Sequence, residues 1–161
     1  MRSKVLTMEE LADRTAELRR AGKRIVFTNG CFDLLHVGHV RYLQAARALG
    51  DVLVVGVNGD QSVRMLKGAN RPVNNERDRA EVLAALASVD LIAIFPEARA
   101  TRLLEMVQPA VYAKGGDYSP ETLNAEEQAV LKKIGAEVRL IPFEAGYSTT
   151  SLLEKLSSNR E

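Results

Sequence analysis

The sequence has little cysteine, little net charge and no long apolar run, and each shortage excludes a class of protein. Cys31 is the only cysteine, so no disulfide can form within the chain, which fits a reducing compartment. The formal net charge of +1 at pH 7 argues against a broad nucleic-acid-binding face. No apolar run approaches the roughly 20 residues that span a bilayer, and the first residues lack the apolar core of a signal peptide. We therefore expect a cytoplasmic protein whose partners include neither nucleic acid nor membrane.

The chain is long enough, at 161 residues, for one domain with a substantial core. No repeat, low-complexity stretch or flexible linker interrupts it. We therefore predict a single domain over residues 1–161, with an N-terminal helical segment over 1–22 and the core of the domain over 24–156. The sequence leaves the formation of homo-oligomers open.

Short apolar runs alternate with amphipathic segments along the chain. Runs without internal alternation, which are typical of buried parallel strands, cover residues 24–29, 51–58, 90–95, 110–113 and 137–141. Helices are predicted from a capping-box pattern at Thr7 and Glu10 to about residue 20, and over 37–49, 76–87, 99–107, 123–134 and 149–156. This order predicts an α/β fold with a doubly wound, Rossmann-like parallel sheet of five strands and helices on both faces. Its ligands should bind beyond the carboxyl ends of the strands.

The segment between the first predicted core strand and the next helix, TNGCFDLLHVGH over residues 28–39, is the strongest candidate for a ligand site. It contains neither a dinucleotide-binding nor a Walker pattern. It holds the only two histidines of the chain, His36 and His39, around Gly38 at a helix start. A glycine there allows close approach to the backbone, and the helix N-terminus favours a phosphate. The imidazoles could stabilise charge during phosphoryl transfer.

Other interpretations of the two histidines stay open at this point. One could cap the helix while the other packs in the core. The spacing also suits a zinc pair, but no further ligands complete a set. A hydrolase built on Cys31 and a histidine would leave the phosphate-binding features unexplained.

Further residues could bind phosphate at other points of the predicted sheet edge. Ser148, Thr149 and Thr150 open the last helix, where hydroxyls and free amides can hold phosphates, although a simple N-cap is the alternative. Lys67 and Arg71 lie in a predicted loop after the second strand, and solvated surface charge is their alternative role. The remaining candidates are Lys114, Gly115 and Gly116 after the fourth strand, with a tight turn as the alternative, and Arg79, with a surface ion pair as the alternative.

These residues together resemble a known family. His36–His39, after Gly30–Asp33, resembles the H-x-G-H signature of the cytidylyltransferase-like nucleotidyltransferases, and Ser148–Ser151 is similar to their I-S-T-T motif, with Tyr147 in place of isoleucine. Four segments resemble one subgroup, the D-glycero-β-D-manno-heptose 1-phosphate adenylyltransferases: Leu66–Gly68, Arg71–Asn74, Arg77–Arg79 and Lys114–Tyr118. The likeness runs from about Ile25 to Leu156. The departures are Cys31, where an aliphatic residue is common, and Gly59, where serine is usual.

The resemblance implies an enzyme that converts ATP and a heptose 1-phosphate to ADP-heptose and pyrophosphate, for lipopolysaccharide-type heptose biosynthesis. It implies Mg²⁺ held mainly through the ATP phosphates, and no metal site made by the protein. The implied catalytic residues are His36, His39 and Lys67. The implied nucleotide-binding residues are Thr28, Asn29, Gly30, Phe32, Gly38, Arg71, Lys114, Gly115, Ser148, Thr149 and Thr150. The sugar phosphate would contact Asp33, Arg79 and Asp117.

Three alternatives to this function remain. Within the same family, the chain could be a cytidylyltransferase acting on a polyol phosphate such as glycerol 3-phosphate. It could instead be a nucleotide-binding module without catalysis, although simple binding would not need both histidines. A fragment of a class I aminoacyl-tRNA synthetase shares H-x-G-H, but this chain lacks a basic tRNA-binding face and a K-M-S-K-S stretch.

Overall fold

A computed structural model describes residues 3–116, 123–142 and 145–159, which form a six-stranded parallel sheet and seven helices. In chain order the elements are β1 (Val5–Leu6), α1 (Met8–Arg20), β2 (Ile25–Gly30), α2 (Val37–Arg47), β3 (Val52–Asn58), α3 (Asp60–Lys67), α4 (Glu76–Ala84), β4 (Leu91–Phe95), α5 (Thr101–Val107), β5 (Val111–Gly115), α6 (Ala125–Ile134), β6 (Glu137–Ile141) and α7 (Thr149–Ser158). Every helix in these ranges falls short of the length and apolar character needed to cross a bilayer.

The strand order β1-β4-β3-β2-β5-β6 confirms the doubly wound, Rossmann-like architecture. From β2 the chain builds one half of the sheet through β3 and β4, and then returns to add β5 and β6 on the other side. The order therefore reverses between β2 and β5, which is where ligands bind in such sheets.

The prediction of five strands was wrong because β1 was missed. β1 pairs parallel with β4 through Val5↔Ile92 and Leu6↔Ala93. Two residues are too few to show a hydrophobic period, so the sequence contains no signal for this strand. The helix that follows was predicted correctly, because Thr7 and Glu10 form the capping box expected of them.

The four inner strands, β2 to β5, are largely buried on both faces, as the unbroken apolar runs predicted. One apolar cluster packs Phe27 and Val54 of the sheet against α1, α5 and α6, and includes Leu11 and Leu104. A second cluster packs Val55 of the sheet against α2 and α4. Neighbouring residues of β3 thus face opposite layers, which is why the run shows no polar alternation.

The segment after β3 differs from the predicted loop, because residues 60–67 form α3. This helix has only eight residues, and Gly59 at its N-cap offers no side chain to bond the first amides, so the usual start signal is absent. Gly68 follows at φ 107°, a backbone conformation that favours glycine. Lys67 is therefore the last residue of a helix, and residues 68–75 form the loop that leads to α4.

Candidate functional site

A cavity of about 1030 Å³ opens at the carboxyl ends of β2, β3 and β5 and at the start of α2 and α7. It lies at the switch point of the sheet, where a ligand site was predicted. Most of the predicted site residues line it: Asn29, Gly30, Phe32, Asp33, His36, Gly38, His39, Lys67, Arg71, Lys114, Gly115, Ser148, Thr149 and Thr150. Thr28 and Arg79 do not, and Asp117 lies outside the described residues.

The two histidines form a reciprocal cap at the start of α2. His36 is the N-cap, and its Nδ1 accepts a hydrogen bond of 3.1 Å from the Gly38 amide. The Nδ1 of His39 accepts one of 3.2 Å from the His36 amide, and the ring centroids lie 4.0 Å apart. Because each Nδ1 is an acceptor, each neutral ring carries its hydrogen on Nε2. The helix-capping role considered for one histidine is therefore filled by His36. Because the caps use only the Nδ1 atoms, both Nε2–H groups can donate to a ligand.

The surroundings of the pair favour uncharged rings. Burial, with a smaller contribution from the neighbouring His36, lowers the pKa of His39 to about 4. Burial also lowers the pKa of His36. Near neutral pH the histidines therefore offer hydrogen bonds rather than positive charge.

The low pKa of His39 predicts a loss of stability in acid. The folded chain binds a proton there only near pH 4, whereas the unfolded chain binds it near the ordinary value of 6.5. The stability contributed by neutral His39 is thus complete above pH 6.5 and is lost as pH falls toward 4. Asparagine at position 39 cannot titrate. Between pH 6.5 and 4 we therefore expect the free energy of unfolding of His39→Asn to fall by about 1–2 kcal/mol less than that of the wild type, after allowance for partial exposure of the ring. Urea unfolding at several pH values measures this, and parallel pH profiles for both proteins would contradict it.

The carboxylate of Asp33 holds the loop that connects α3 and α4. Its side chain is only 1% exposed and forms an ion pair with the Nε of Arg71. It also accepts hydrogen bonds from the amides of Val73, at 2.8 Å, and Asn74, at 3.3 Å. Asp33 was expected to accept hydrogen bonds from sugar hydroxyls. In the structure the carboxylate accepts three hydrogen bonds from this loop, which fix Arg71 at the cavity wall. The contact with sugar hydroxyls stays a prediction.

The start of α7 is tied to the segment that precedes α2. Ser148 is the N-cap, and its Oγ accepts from the Ser151 amide at 3.0 Å. The Thr149 hydroxyl donates to the carbonyl oxygen of Leu34 at 3.1 Å. Ser148 therefore acts as an N-cap. The N-terminus of α7 opens onto the same cavity as that of α2.

Two helix N-termini, a pair of neutral histidines and several cations thus meet at one cavity. A family model described as Cytidylyltransferase-like matches residues 27–159. The chain belongs to the cytidylyltransferase-like family. The match confirms the family resemblance of the sequence.

Similar proteins include two called "Bifunctional protein HldE". The protein from Geotalea uraniireducens is 52% identical over 154 residues, and that from Bradyrhizobium sp. is 54% identical over 151 residues. The alignments cover 96% and 94% of this chain, but only 31% and 30% of those proteins. The crystal structure of the lipopolysaccharide core biosynthesis protein from Thermoplasma volcanium is 30% identical, with a TM-score of 0.63, over 76% of this chain and 98% of that one.

In this cytidylyltransferase-like chain Arg79 is a buried structural residue and does not line the cavity. Its side chain is 0% exposed. The guanidinium donates to the carbonyl oxygens of Asn74 and Cys31 and pairs with Asp60 at 2.9 Å. The expected contact with an acceptor phosphate stays a prediction. In the structure Arg79 joins the β2–α2 junction, the α3–α4 loop and the start of α3.

Glu127 of α6, which was not predicted as a site residue, lines the cavity and is only 6% exposed. Burial lowers the pKa of Lys114, and the charge of Glu127 partly opposes this. The Lys114 ammonium lies 5.5 Å from the centre of the Tyr112 ring. No signal marks Glu127 in the sequence, since it stands beside Glu126 in an ordinary acidic first turn.

Cys31 also lines the cavity of this family member. Burial raises the pKa of its thiol, against smaller opposing effects of the nearby cations. A thiol with a raised pKa is a poor nucleophile, so the surroundings of Cys31 do not favour a cysteine hydrolase.

Proposed function

We propose that the chain is an adenylyltransferase that converts ATP and D-glycero-β-D-manno-heptose 1-phosphate to ADP-heptose and pyrophosphate. The observation that carries the proposal is the convergence of the histidine pair and the α7 N-terminus on one cavity of about 1030 Å³. Such a cavity is large enough for a nucleotide beside a sugar phosphate. The choice of substrate rests on the subgroup segments, of which Leu66, Lys67, Arg71 and Lys114 line the cavity, and on the similarity to the HldE proteins.

In the proposed reaction an oxygen of the sugar phosphate attacks the α-phosphorus of ATP, and pyrophosphate leaves in line. A phosphate monoester is largely ionised near neutral pH, so no strong general base is needed. The protein acts mainly by positioning the reactants and offsetting charge. The Nε2–H groups of His36 and His39 donate to oxygens of the transferring phosphate. Lys67, Arg71 and the start of α7 offset the charge of the leaving pyrophosphate.

The charges of the cavity suit the remaining parts of the two substrates. Glu127 is an acidic group among cations, so it is better placed to accept hydrogen bonds from ligand hydroxyls than to face a phosphate. The described residues contain no cluster of three or more His, Cys, Asp or Glu side chains that could hold a metal ion. We expect a Mg²⁺ ion to be held mainly through the ATP phosphates, to keep much of its water and to neutralise phosphate charge.

The proposed substrates are tested with a panel of ATP and CTP against heptose 1-phosphate, mannose 1-phosphate, glycerol 3-phosphate and phosphopantetheine. We expect pyrophosphate release to be fastest, by at least about tenfold, for ATP with heptose 1-phosphate, because a site that bonds particular hydroxyls rejects ligands that lack them. Preference for CTP with glycerol 3-phosphate would overturn the subgroup assignment alone. No release with any pair would overturn the enzymatic function and favour a binding module.

The phosphate-binding role of α7 is tested by removing the hydroxyl of Thr150. We expect Thr150→Ala to weaken ATP binding by about 1 kcal/mol and AMP binding much less, because its proposed partners are the outer phosphates. Calorimetric titration with both nucleotides measures this. Ser157→Ala, which removes a hydroxyl near the other end of the same helix, is the matched control and should leave both affinities unchanged. Equal losses for ATP and AMP would point to a purely structural hydroxyl.

A further inference from the structure

The hydroxyl of Tyr42 lies in the crevice where β2 and β5 part. The two strands pair only through Val26↔Val111 and Phe27↔Tyr112, although β2 continues to Gly30 and β5 to Gly115. Just beyond the last pair, the Tyr42 hydroxyl lies 2.7 Å from the Thr28 hydroxyl and 3.1 Å from the carbonyl oxygen of Ala113. One side chain of α2 thus bridges the ends of both strands.

The directions of these hydrogen bonds follow from the chemistry of the partners. The carbonyl oxygen of Ala113 can only accept, so the Tyr42 hydroxyl donates to it and accepts from Thr28. Burial raises the pKa of Tyr42 to about 12, partly opposed by the bond with Thr28. The hydroxyl therefore stays protonated in the working pH range, and both bonds persist. Thr28 itself is only 1% exposed and does not line the cavity.

The same hydroxyl connects the parts of the site that must act together. Tyr42 lies three residues after His39, on the same side of α2. Its acceptor, Ala113, directly precedes Lys114. The neighbouring residues of α2, Leu43 and Ala46, hold the helix through apolar packing, which restricts its rotation less sharply than a directional hydrogen bond does.

We propose that Tyr42 is a positioning residue for nucleotidyl transfer, because its hydroxyl sets the spacing between the histidine pair on α2 and Lys114 at the end of β5. The inference rests on the proposed function. Misplacement of a reacting group by about 1 Å can cost on the order of 100-fold in rate. A slightly rotated α2 should therefore lower kcat, while ATP, held by many other groups, binds nearly as before.

The test compares Tyr42→Phe, Thr28→Val and the double variant in steady-state kinetics, using the substrate pair that the wild type turns over. We expect Tyr42→Phe to lower kcat by about tenfold or more, with the KM for ATP changed less than about threefold. Thr28→Val removes one of the two bonds that fix the Tyr42 hydroxyl. We therefore expect a smaller loss in kcat than in Tyr42→Phe, and a double variant no slower than Tyr42→Phe alone. Thr15→Val, which deletes a buried hydroxyl of α1 remote from the cavity, is the control and should keep wild-type kinetics.

The outcomes separate this inference from the function on which it rests. No pyrophosphate from the wild type with any pair would overturn both. Turnover by the wild type with unchanged kcat in Tyr42→Phe would overturn the positioning role alone. The same conclusion would follow if the fold-loss in kcat of the double variant equalled the product of the two single losses. If Tyr42→Phe does not fold, Thr28→Val decides, because without the Thr28 donor the Tyr42 hydroxyl is held by one bond only and α2 can shift. Wild-type kcat in Thr28→Val would then overturn the inference.

Discussion

His36→Ala and His39→Ala are each expected to slow pyrophosphate release by about 10²–10³-fold, while ATP affinity falls far less. The Nε2–H donors act on charge that develops only as the α-phosphorus is attacked, so their loss affects the transition state more than the bound ground state. Turnover of ATP with heptose 1-phosphate, together with calorimetric ATP binding, measures the two effects separately. Near-normal turnover in both variants would remove the histidines from the mechanism.

The capping role of His36 calls for a control that separates structure from catalysis. Asparagine is a strong N-cap, so His36→Asn can still accept from the start of α2. It has no ring nitrogen to donate to a phosphate. We expect His36→Asn to retain the thermal stability of the wild type but not its rate. A rate restored along with the stability would mean that His36 acts only as a helix cap.

Asp33→Asn is expected to lower the free energy of unfolding by about 2–3 kcal/mol. The substitution leaves the guanidinium of Arg71, which is only 18% exposed, without its charged partner, and breaking one side of a buried pair is strongly destabilising. Urea denaturation measures the loss. Glu17→Gln, which breaks the exposed pair with Arg14, is the matched control and should change stability by no more than about 0.5 kcal/mol.

Kinetics of Asp33→Asn distinguish the two roles considered for this carboxylate. If Asp33 holds the loop, releasing Arg71 should lower kcat/KM for the pair of substrates together with stability. If Asp33 instead bonded sugar hydroxyls, stability would stay the same and only the KM for the sugar phosphate would rise.

The sheet and the position of the site could be predicted because their signals are local. Each strand of the core is a short apolar run, and the two histidines, three residues apart, closely follow the first of these runs. α3 and β1 could not be predicted, because one lacks a side-chain cap and the other is two residues long.

The internal partners of Asp33 and Arg79 could not be predicted, because they are distant in sequence. Asp33 pairs with Arg71, 38 residues away, and Arg79 reaches Cys31, 48 residues away. A charged residue near a phosphate-binding motif looks the same in sequence whether it faces a ligand or another loop. Only the fold shows that these charges are satisfied internally, and that Glu127 is the carboxylate beside Lys114 at the cavity.

The two outer strands of the described sheet are poor templates for the addition of a strand from another chain. A sheet edge exposes unpaired amide and carbonyl groups on which another chain can add a strand, with aggregation as the result. On one side β1 covers the flank of β4 but is itself only two residues long, which is too short to template such pairing. On the other side β6 carries Glu137 and Arg139, with Arg24 paired to Glu137 at 2.9 Å. Charges at an edge make the burial required for strand addition costly, so neither flank presents a long, uncharged template.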